Sequence, residues 1–264
     1  MVIIRIMKAL FHLARILENI NLIYLIWRND VKIYATKVEK EPYQMTQLSD
    51  MTAVLDKDRK EKIEQIRREE DRIRSIYAGL LLRYSFLQEG FQQSDWEKIS
   101  IERGKFGKPS IAGITDFHYS LSHSGEWVVC SVGKKEIGVD IQKQGTCKLQ
   151  VAKRFFSTQE YERLLREEDS KKQKLAFYKM WAAKESFVKL TGRGIGGGIN
   201  ACVIDENYRH VTDGNDYKES ALIRIYENID NYIVCGCTWE EEFPEELELI
   251  SFDTLMGEKA YEQE

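Results

Sequence analysis

Apolar and polar positions alternate with a period of two in several short segments of the chain. In the segment IGVDIQ, residues 137–142, three branched apolar residues share one face, while Gly138, Asp140 and Gln142 share the other. This alternation predicts a strand with one buried face. A carboxylate on such a strand is costly unless it is paired, hydrogen-bonded or bound to a metal. Asp140 therefore predicts a partner elsewhere in the chain.

The rest of the pattern predicts helices and strands mixed along the chain. Apolar residues at helical spacing predict long helices over 56–86 and 173–190, which end near Gly90 and at Gly192. Shorter helices are predicted at 151–156 and 161–168, and STQE, residues 157–160, fits a capping box that opens the second of these. Strands are predicted at 31–37, 98–103, 119–127, 127–132, 137–142, 201–205, 220–227 and 231–238.

The order of these elements repeats. EWVVCSV and NYIVCGC begin at Glu126 and Asn231, 105 positions apart, and helical stretches near Asp71 and Phe177 are 106 positions apart. Two similar offsets predict a duplicated unit and an α+β fold of two similar halves related by pseudo-twofold symmetry. The expected halves are residues 31–133 and 134–254, followed by a tail at 255–264, and a ligand cleft is expected where they meet.

The first thirty residues are apolar but contain several charged side chains. These charges are too frequent for a spanning helix, and no small-residue cleavage site of a secretory signal follows. One interpretation is an amphipathic helix that packs on the body of the protein or on a membrane surface. The other is that the start was assigned too early and that the domain begins near Val31.

Composition narrows the functional classes. The chain of 264 residues is 43% hydrophobic, which is enough for one large core or two smaller ones. Its 39 Lys and Arg against 43 Asp and Glu give a net charge of -4, which does not favour nucleic-acid binding by bulk charge. The five cysteines are interpreted as reduced core residues of a cytoplasmic protein.

The helix at 177–190 offers the best candidate for the partner of Asp140. Trp181, Glu185 and Lys189 follow one another at intervals of four residues and so share a helix face. A Glu–Lys pair at this spacing is by itself typical of a solvated face, but the tryptophan and the unexplained Asp140 favour a site. Two carboxylates beside a cation suit Mg²⁺ and a phosphate-bearing substrate.

Candidate phosphate donors lie in two loops and one basic helix. FGKP places Lys108 on a turn, and SLSHSG places Ser122, His123 and Ser124 at a strand end, although this second segment could be an ordinary turn. The basic residues of the first long helix form either a second phosphate region or a charged surface: Arg59, Lys60, Lys62, Arg67, Arg68, Arg72 and Arg74. Arg74 and Ser75, where the helix turns apolar, are expected to face inward.

Several of these segments together resemble a known family. FGKPSI, YSLSHSGEWVVCSV, IGVDIQ, AKRFFSTQEYERLL and FYKMWAAKESFVKLTGRG occur in the order and spacing of the surfactin-type 4'-phosphopantetheinyl transferases, and the resemblance spans about residues 31–254. It implies two similar α+β halves that bind coenzyme A with Mg²⁺, or Mn²⁺ in its place, in the cleft between them. Apart from the resemblance, we expect a cytoplasmic monomer without a nucleic-acid or membrane partner.

The implied reaction transfers the 4'-phosphopantetheine arm to a serine of an apo acyl or peptidyl carrier protein and releases 3',5'-ADP. Such enzymes often serve peptide or polyketide synthases, and some serve fatty-acid synthesis. Two rival readings remain open. One is a coenzyme A or nucleotide-binding module without transfer activity, and the other is an interaction protein held at a membrane by residues 1–30.

The resemblance assigns expected roles by position. Asp140 and Glu185 match the metal-binding acids and Lys189 matches the lysine near the pyrophosphate, while Lys184 lies in the same motif. Positions expected to hold the nucleotide and its 3'-phosphate are Ser122, His123 and Lys108, with Arg59, Lys62, Arg74 and Ser75 as basic and hydroxyl positions of the first half.

The chain departs from the family pattern at one position. Many members carry Glu two residues after the metal-binding Asp, whereas this chain has Gln142. Its amide can still offer an oxygen as a third metal ligand, but the site loses one negative charge. Three candidates for the base that accepts the serine proton remain open: Glu185, a metal-bound water, or Glu160, for which the capping box is already a sufficient structural role.

Overall fold

The computed structural model describes residues 31–39, 45–194, 199–214, 216–239 and 242–257. The helices are α1 (Met45–Ala53), α2 (Lys57–Gln65), α3 (Glu69–Gln88), α4 (Gln93–Trp96), α5 (Leu149–Phe155), α6 (Thr158–Arg166), α7 (Ser170–Thr191) and α8 (Phe252–Met256). The strands are β1 (Lys32–Lys37), β2 (Ile101–Arg103), β3 (Pro109–Ile111), β4 (His118–Ser124), β5 (Trp127–Gly133), β6 (Ile137–Lys143), β7 (Cys202–Ile204), β8 (His210–Asp213), β9 (Asp216–Tyr226), β10 (Tyr232–Thr238) and β11 (Glu248–Leu249).

Two sheets have the same core topology. The first has the order β11-β1-β5-β4 and the second the order β6-β10-β9-β8-β7. In each, the opening strand, β1 or β6, pairs with the last strand of a later hairpin, and one long helix, α3 or α7, packs against the sheet. The prediction of an α+β fold with two similar halves is therefore confirmed.

The protein has three hydrophobic clusters, one in each half and one between the halves. The first lies between α3 and the first sheet and contains Tyr77, Leu81 and Phe86, and the second lies between α7 and the second sheet. The third joins the sheets, because the apolar face of β6 packs on β1 and β5. Since Ile137, Val139 and Ile141 fill this third cluster, the other face of β6 is left to face α7.

Two boundaries differ from the prediction. The helix expected over 56–86 is two helices: Asp56 caps α2 by accepting a hydrogen bond from the Arg59 N–H, and Ile66 is extended. The acidic run 69–71 starts a new helix, as expected for negative charge at a helix N-terminus. The segment around β11 also does not lie with the second half, because β11 pairs in parallel with β1 and α8 packs on the first cluster.

The pattern did not predict α1, α4, β3, β8, β11 or α8, all of which are short. The predicted N-terminal extension, the glycine-rich end of GRGIGGG and most of the tail lie outside the described residues. Across the described ranges, every helix is too short or too polar to cross a membrane. The five cysteines are unpaired, and all except the half-buried Cys147 are buried.

Candidate functional site

A cleft of about 690 Å³ lies between the two halves. Its walls come from α2, α3 and β4 of the first half, from the β2–β3 hairpin, and from the C-terminal part of α7. It brings together many of the residues predicted from the sequence: Arg59, Lys62, Ser75, Lys108, His123, Glu185 and Lys189.

Asp140 lies under this cleft, where the two halves meet, and the residue is 3% exposed. One carboxylate oxygen, Oδ1, accepts hydrogen bonds from the Ser122 hydroxyl and from the Lys189 ammonium, each at 2.8 Å. The other, Oδ2, accepts one from the Gln142 amide at 2.7 Å. These three donors offset the cost of burying the carboxylate. They are the partners that the sequence pattern required.

Glu185 is the second acid of the group. Its residue is 8% exposed, and within the described ranges its carboxylate has no hydrogen-bond or ion-pair partner. Desolvation, followed by the charge of Asp140, raises the pKa of Glu185 to about 7, while Lys189 acts in the opposite direction. A buried acid without a partner, beside a second acid, is an environment that a bound cation would stabilise.

Gly138 brings α7 close enough to β6 to form this group. A Cβ atom at Gly138 would lie 2.0 Å from the Ser186 carbonyl oxygen and 2.6 Å from the Leu190 nitrogen, both backbone atoms of α7. The Gly-x-Asp pattern therefore has a geometric reason. The glycine admits the helix that carries Glu185 and Lys189, and Asp140 follows on the same strand face.

The donor set fits a small oxygen-binding cation. Mg²⁺ commonly takes one or two carboxylates and completes its octahedron with water and phosphate oxygens. Within the described ranges, no group of three or more His, Cys, Asp and Glu side chains could hold a metal by itself. Asp140 and Glu185 could therefore offer two carboxylates to such an ion, and the Lys189 ammonium lies beside Asp140.

Gln142 lies next to this pair as the sequence predicts, but with a different contact. Its Nε2 donates to Asp140, so the amide supports the carboxylate in this structure. Offering its oxygen to a metal would require the amide group to turn over. A direct metal bond from Gln142 stays a prediction.

Positive charge lines the first-half side of the cleft. His123 is exposed there, and its pKa is lowered by desolvation and then by the positive charges of Arg74, Lys189 and Lys62. Arg59 donates to the Ser75 hydroxyl at 3.3 Å, and the pKa of Lys62 is lowered by desolvation and then by the charges of Arg59 and Arg103. Asp58 and Asp71 also line this side, but they pair with Arg103 and Arg74. We call Arg59, Lys62 and His123 the cationic wall, and positive charge held there favours the binding of an anion.

Two predicted nucleotide-binding residues are engaged elsewhere. Arg74 lies outside the cleft lining, donating to Asp71 and, at 3.2 Å, to the Gly125 carbonyl. The Lys108 stem lines the cleft, but its ammonium contacts Glu136 and donates to the carbonyls of Ile137 and Leu190 at 3.2 and 2.8 Å. Lys108 thereby caps the C-terminal end of α7, where a cation is favourable.

Lys184, predicted to bind coenzyme A, and Glu160, a candidate base, both lie away from the cleft. Lys184 is fully buried and forms an ion pair with Glu160 at 3.0 Å, with a further bond to the Cys202 carbonyl. Glu160 also closes the predicted capping box with Ser157 and accepts from the Ile204 N–H at 2.8 Å. Both side chains belong to the second core, so Lys184 does not bind coenzyme A in this geometry and Glu160 cannot reach a substrate in the cleft.

Trp181 also points away from the cleft. Its ring packs on Phe155 and Phe177, with ring centroids 5.7 and 6.4 Å away. The spacing of four residues correctly placed Glu185 and Lys189 together. Each step of four residues rotates the side-chain direction by about 40° on an α-helix, so Trp181 does not share the face of Lys189.

Sequence reasoning missed several residues that line the cleft: Asp56, Asp58, Asp71, Arg103, Phe106 and Tyr119. Asp58 pairs with Arg103 at 2.7 Å and links α2 to the β2–β3 hairpin. No local pattern predicts this contact, because the two residues are distant in sequence. Phe106 is 58% exposed at the cleft rim, and an exposed aromatic next to GKP is a signal that could have identified it.

Comparison with known proteins gave matches over both halves. A family profile described as the 4'-phosphopantetheinyl transferase superfamily matches residues 136–237. A second profile, described as the N-terminal part of 4'-phosphopantetheinyl transferase, matches residues 41–135. The first match contains Asp140, Glu185 and Lys189, and the second contains the cationic wall.

Individual proteins match over much of their length. The 4'-phosphopantetheinyl transferase Sfp of Bacillus subtilis (strain 168) is 30% identical over 232 residues, which cover 86% of this chain and 100% of that protein. The 4'-phosphopantetheinyl transferase psf-1 of Bacillus pumilus is 32% identical, covering 61% of this chain and 70% of its own. A putative 4'-phosphopantetheinyl transferase, slr0495 of Synechocystis, is 33% identical, with 71% and 81% covered.

Proposed function

The chain belongs to the surfactin-type 4'-phosphopantetheinyl transferases, and on this premise we propose that Asp140 and Glu185 hold Mg²⁺ while the enzyme transfers the phosphopantetheine arm of coenzyme A to an apo carrier protein. The observation that carries the metal assignment is the buried acid pair of Asp140 and Glu185, next to Lys189 at the cleft floor. The cationic wall of the cleft supports a substrate rich in phosphate.

The reaction breaks the phosphoanhydride bond of coenzyme A and forms a phosphodiester on the carrier serine. The serine oxygen of the carrier bonds to the β-phosphorus of coenzyme A, and the bond from that phosphorus to the bridging oxygen of the pyrophosphate breaks. The products are phosphopantetheinyl-serine and 3',5'-ADP, which leaves with the bridging oxygen, while the serine gives up its proton. Catalysis of such a transfer depends mainly on positioning and on neutralising charge.

The chain's own residues divide these tasks. Lys189 lies between Asp140 and the cationic wall, where it can neutralise charge on the pyrophosphate. His123, Lys62 and Arg59 lie on that wall, where they can hold the 3'-phosphate. When bound, Mg²⁺ supplies charge neutralisation at the phosphates.

Three groups are candidates for the base that accepts the serine proton. Because Glu160 is paired with Lys184 in the second core, away from the cleft, the candidates that we keep are Glu185 and a metal-bound water. The pKa of about 7 belongs to Glu185 in the metal-free site, and a bound cation would lower it, so the metal role is the one that we propose for Glu185.

The carrier would dock beside the metal site. Carrier proteins are usually acidic around the modified serine, so complementary charge on the enzyme would speed and orient docking. Exposed basic side chains run from the last residue of β6 into α5: Lys143, Lys148, Lys153 and Arg154. They support an acidic partner on this side of the cleft. The unpaired cysteines support a reducing, cytoplasmic location, and we propose that the enzyme acts as a monomer.

Mass spectrometry tests the function. The full chain is incubated with coenzyme A, Mg²⁺ and a panel of apo acyl and peptidyl carriers, and the carrier should gain the mass of one phosphopantetheine. Chelation of divalent ions should stop the gain. Normal coenzyme A binding with no carrier modified by a metal-loaded preparation would instead favour the binding-module function.

The role of His123 can be tested with two substrates. In His123→Ala, the KM for coenzyme A should rise about tenfold, because a charged hydrogen bond contributes roughly 1.5–3 kcal/mol. Dephospho-coenzyme A, which lacks the 3'-phosphate, is the matched control, and its KM should be the same in both proteins. An equal rise for both substrates would place His123 elsewhere on the nucleotide.

A further inference from the structure

Strands β4 and β6 lie side by side, but they belong to different sheets. The backbone N–H groups of Val139, Ile141 and Lys143 point from β6 toward β4. A buried N–H without a partner would destabilise the fold, so the edge of β6 needs acceptors.

Serine side chains of β4 supply those acceptors. The hydroxyls of Ser120, Ser122 and Ser124 accept from Val139, Ile141 and Lys143, at 3.1, 3.4 and 2.9 Å. Every second residue of one strand meets every second residue of the other, in parallel. We name the row of Ser120, Ser122 and Ser124 the serine seam, since it joins the two halves directly under the cleft.

The middle serine makes a contact that neither of its neighbours is seen to make. Ser122 is 8% exposed, and its hydroxyl also donates to Oδ1 of Asp140 at 2.8 Å. A hydroxyl has a single hydrogen and two lone pairs, so donating to Asp140 and accepting from Ile141 fixes its rotation. The orientation of the Asp140 carboxylate is thus set from the other half of the protein.

Ser122 donates to the same carboxylate oxygen of Asp140 as Lys189 does. Oδ1 of Asp140 is shared by Ser122 and Lys189, while Oδ2 is held by Gln142. Because the Ser122 hydroxyl is uncharged and buried, it can keep Asp140 oriented if Lys189 moves toward a pyrophosphate. The Lys189 side chain is 29% exposed, so it has room for this movement.

We propose that Ser122 is a positioning residue that orients Asp140 for metal binding, and not the nucleotide ligand that the sequence predicted. This inference rests on the proposed metal role of Asp140. It links metal affinity to the joining of the halves, because the acid lies on β6 and its orienting hydroxyl on β4. Residues hydrogen-bonded to metal ligands typically change metal affinity or activity 10–100-fold when replaced, so a roughly tenfold effect is expected.

Metal binding provides a readout that does not need turnover. Mn²⁺ affinity is measured by electron paramagnetic resonance on the full chain at saturating coenzyme A. Ser122→Ala should weaken Mn²⁺ binding at least about tenfold. Ser124→Ala is the matched control, because it loses a seam bond of the same kind without touching Asp140, and its Mn²⁺ affinity should stay within twofold of the original.

The affinity for coenzyme A without metal separates the alternatives. It should be unchanged in Ser122→Ala, whereas a loss of coenzyme A affinity with unchanged Mn²⁺ affinity would overturn the proposal. If Ser122→Ala fails to fold, Ser122→Cys keeps the size with a weaker donor, and it should still weaken Mn²⁺ binding. A wild-type protein that binds Mn²⁺ but modifies no carrier would refute the proposed function and leave the Ser122 result valid.

Discussion

Replacing Glu185 with glutamine is expected to lower carrier modification about a thousandfold and to raise the thermal stability of the metal-free protein at pH 8. Activity falls because one of the two protein acids of the proposed metal site is lost, and a single preorganised charge-stabilising contact commonly contributes 10²–10³-fold. Stability rises because Glu185 is 8% exposed and, within the described ranges, has no hydrogen-bond or ion-pair partner. Glutamine has a similar shape and carries no charge.

The pH dependence of this stability gain follows from the raised pKa. The pKa of Glu185 is raised from 4.5 to about 7 in the folded protein. Between these values the folded state keeps a proton that the unfolded state has lost, so the contribution of Glu185 to stability is present at low pH and is lost as the pH rises through about 7. At pH 8 the ionised carboxylate costs about 3 kcal/mol, which corresponds to several degrees in Tm.

Melting curves of both proteins at pH 5 and pH 8, without divalent ions, measure this difference. The advantage of Glu185→Gln should be large at pH 8 and should shrink toward pH 5. Asp140→Asn is the contrasting variant: it should also lose activity, but it should be less stable, because Lys189 loses its partner at 2.8 Å. Full activity in Glu185→Gln would refute the metal assignment, and a lower Tm at pH 8 would mean that Glu185 has a stabilising partner in solution.

The sequence predicts the site where local period and covalent spacing decide the geometry. Alternation in IGVDIQ placed Asp140 opposite the apolar face, and the interval of four residues placed Glu185 and Lys189 together on α7. The chemical demand of a buried acid correctly indicated a partner on another element. The alternation and the spacing can each be recognised within a single strand or helix.

Lys184 shows where a position taken from a family pattern fails. On a helix, one residue is a rotation of about 100°, so Lys184 cannot share the face of Glu185 and Lys189. Lys184 points into the second core and pairs there with Glu160. From the sequence, the capping box alone was a sufficient role for Glu160. The sequence shows the cap but not the buried partner, because that ion pair joins α6 to α7 across 24 positions.

The contacts between the halves are the part of the site that could not be predicted from the sequence. Lys108 and Ser122 are expected from the sequence to meet the nucleotide, and the structure adds contacts that the sequence did not predict: Lys108 donates to the Leu190 carbonyl and Ser122 to Asp140. Their partners depend on how β4 and the β2–β3 hairpin approach the second half, which no periodicity encodes. A row of alternating serines on β4 was nevertheless visible in HYSLSHS, and such a row indicates a polar strand face that needs donors and acceptors.

Gly138→Ala is expected to destabilise the protein by about 3 kcal/mol or more and to disable the metal site in the fraction that folds. The new methyl group would lie 2.0 Å from the Ser186 carbonyl oxygen, against helix backbone that cannot rotate away as a side chain would. Relief requires α7 to move outward from β6. That movement carries Glu185 and Lys189 away from Asp140, so stability and metal binding should fall together.

Chemical denaturation measures the stability change, and Mn²⁺ affinity at a temperature where the variant is folded measures the change at the site. Gly104→Ala is the control, because its Cβ would meet nothing closer than 3.7 Å and should change stability by less than about 0.5 kcal/mol. A Gly138→Ala protein with normal stability and normal Mn²⁺ affinity would show that α7 does not need this close approach. The spacing between strand and helix would then not be what builds the acid pair.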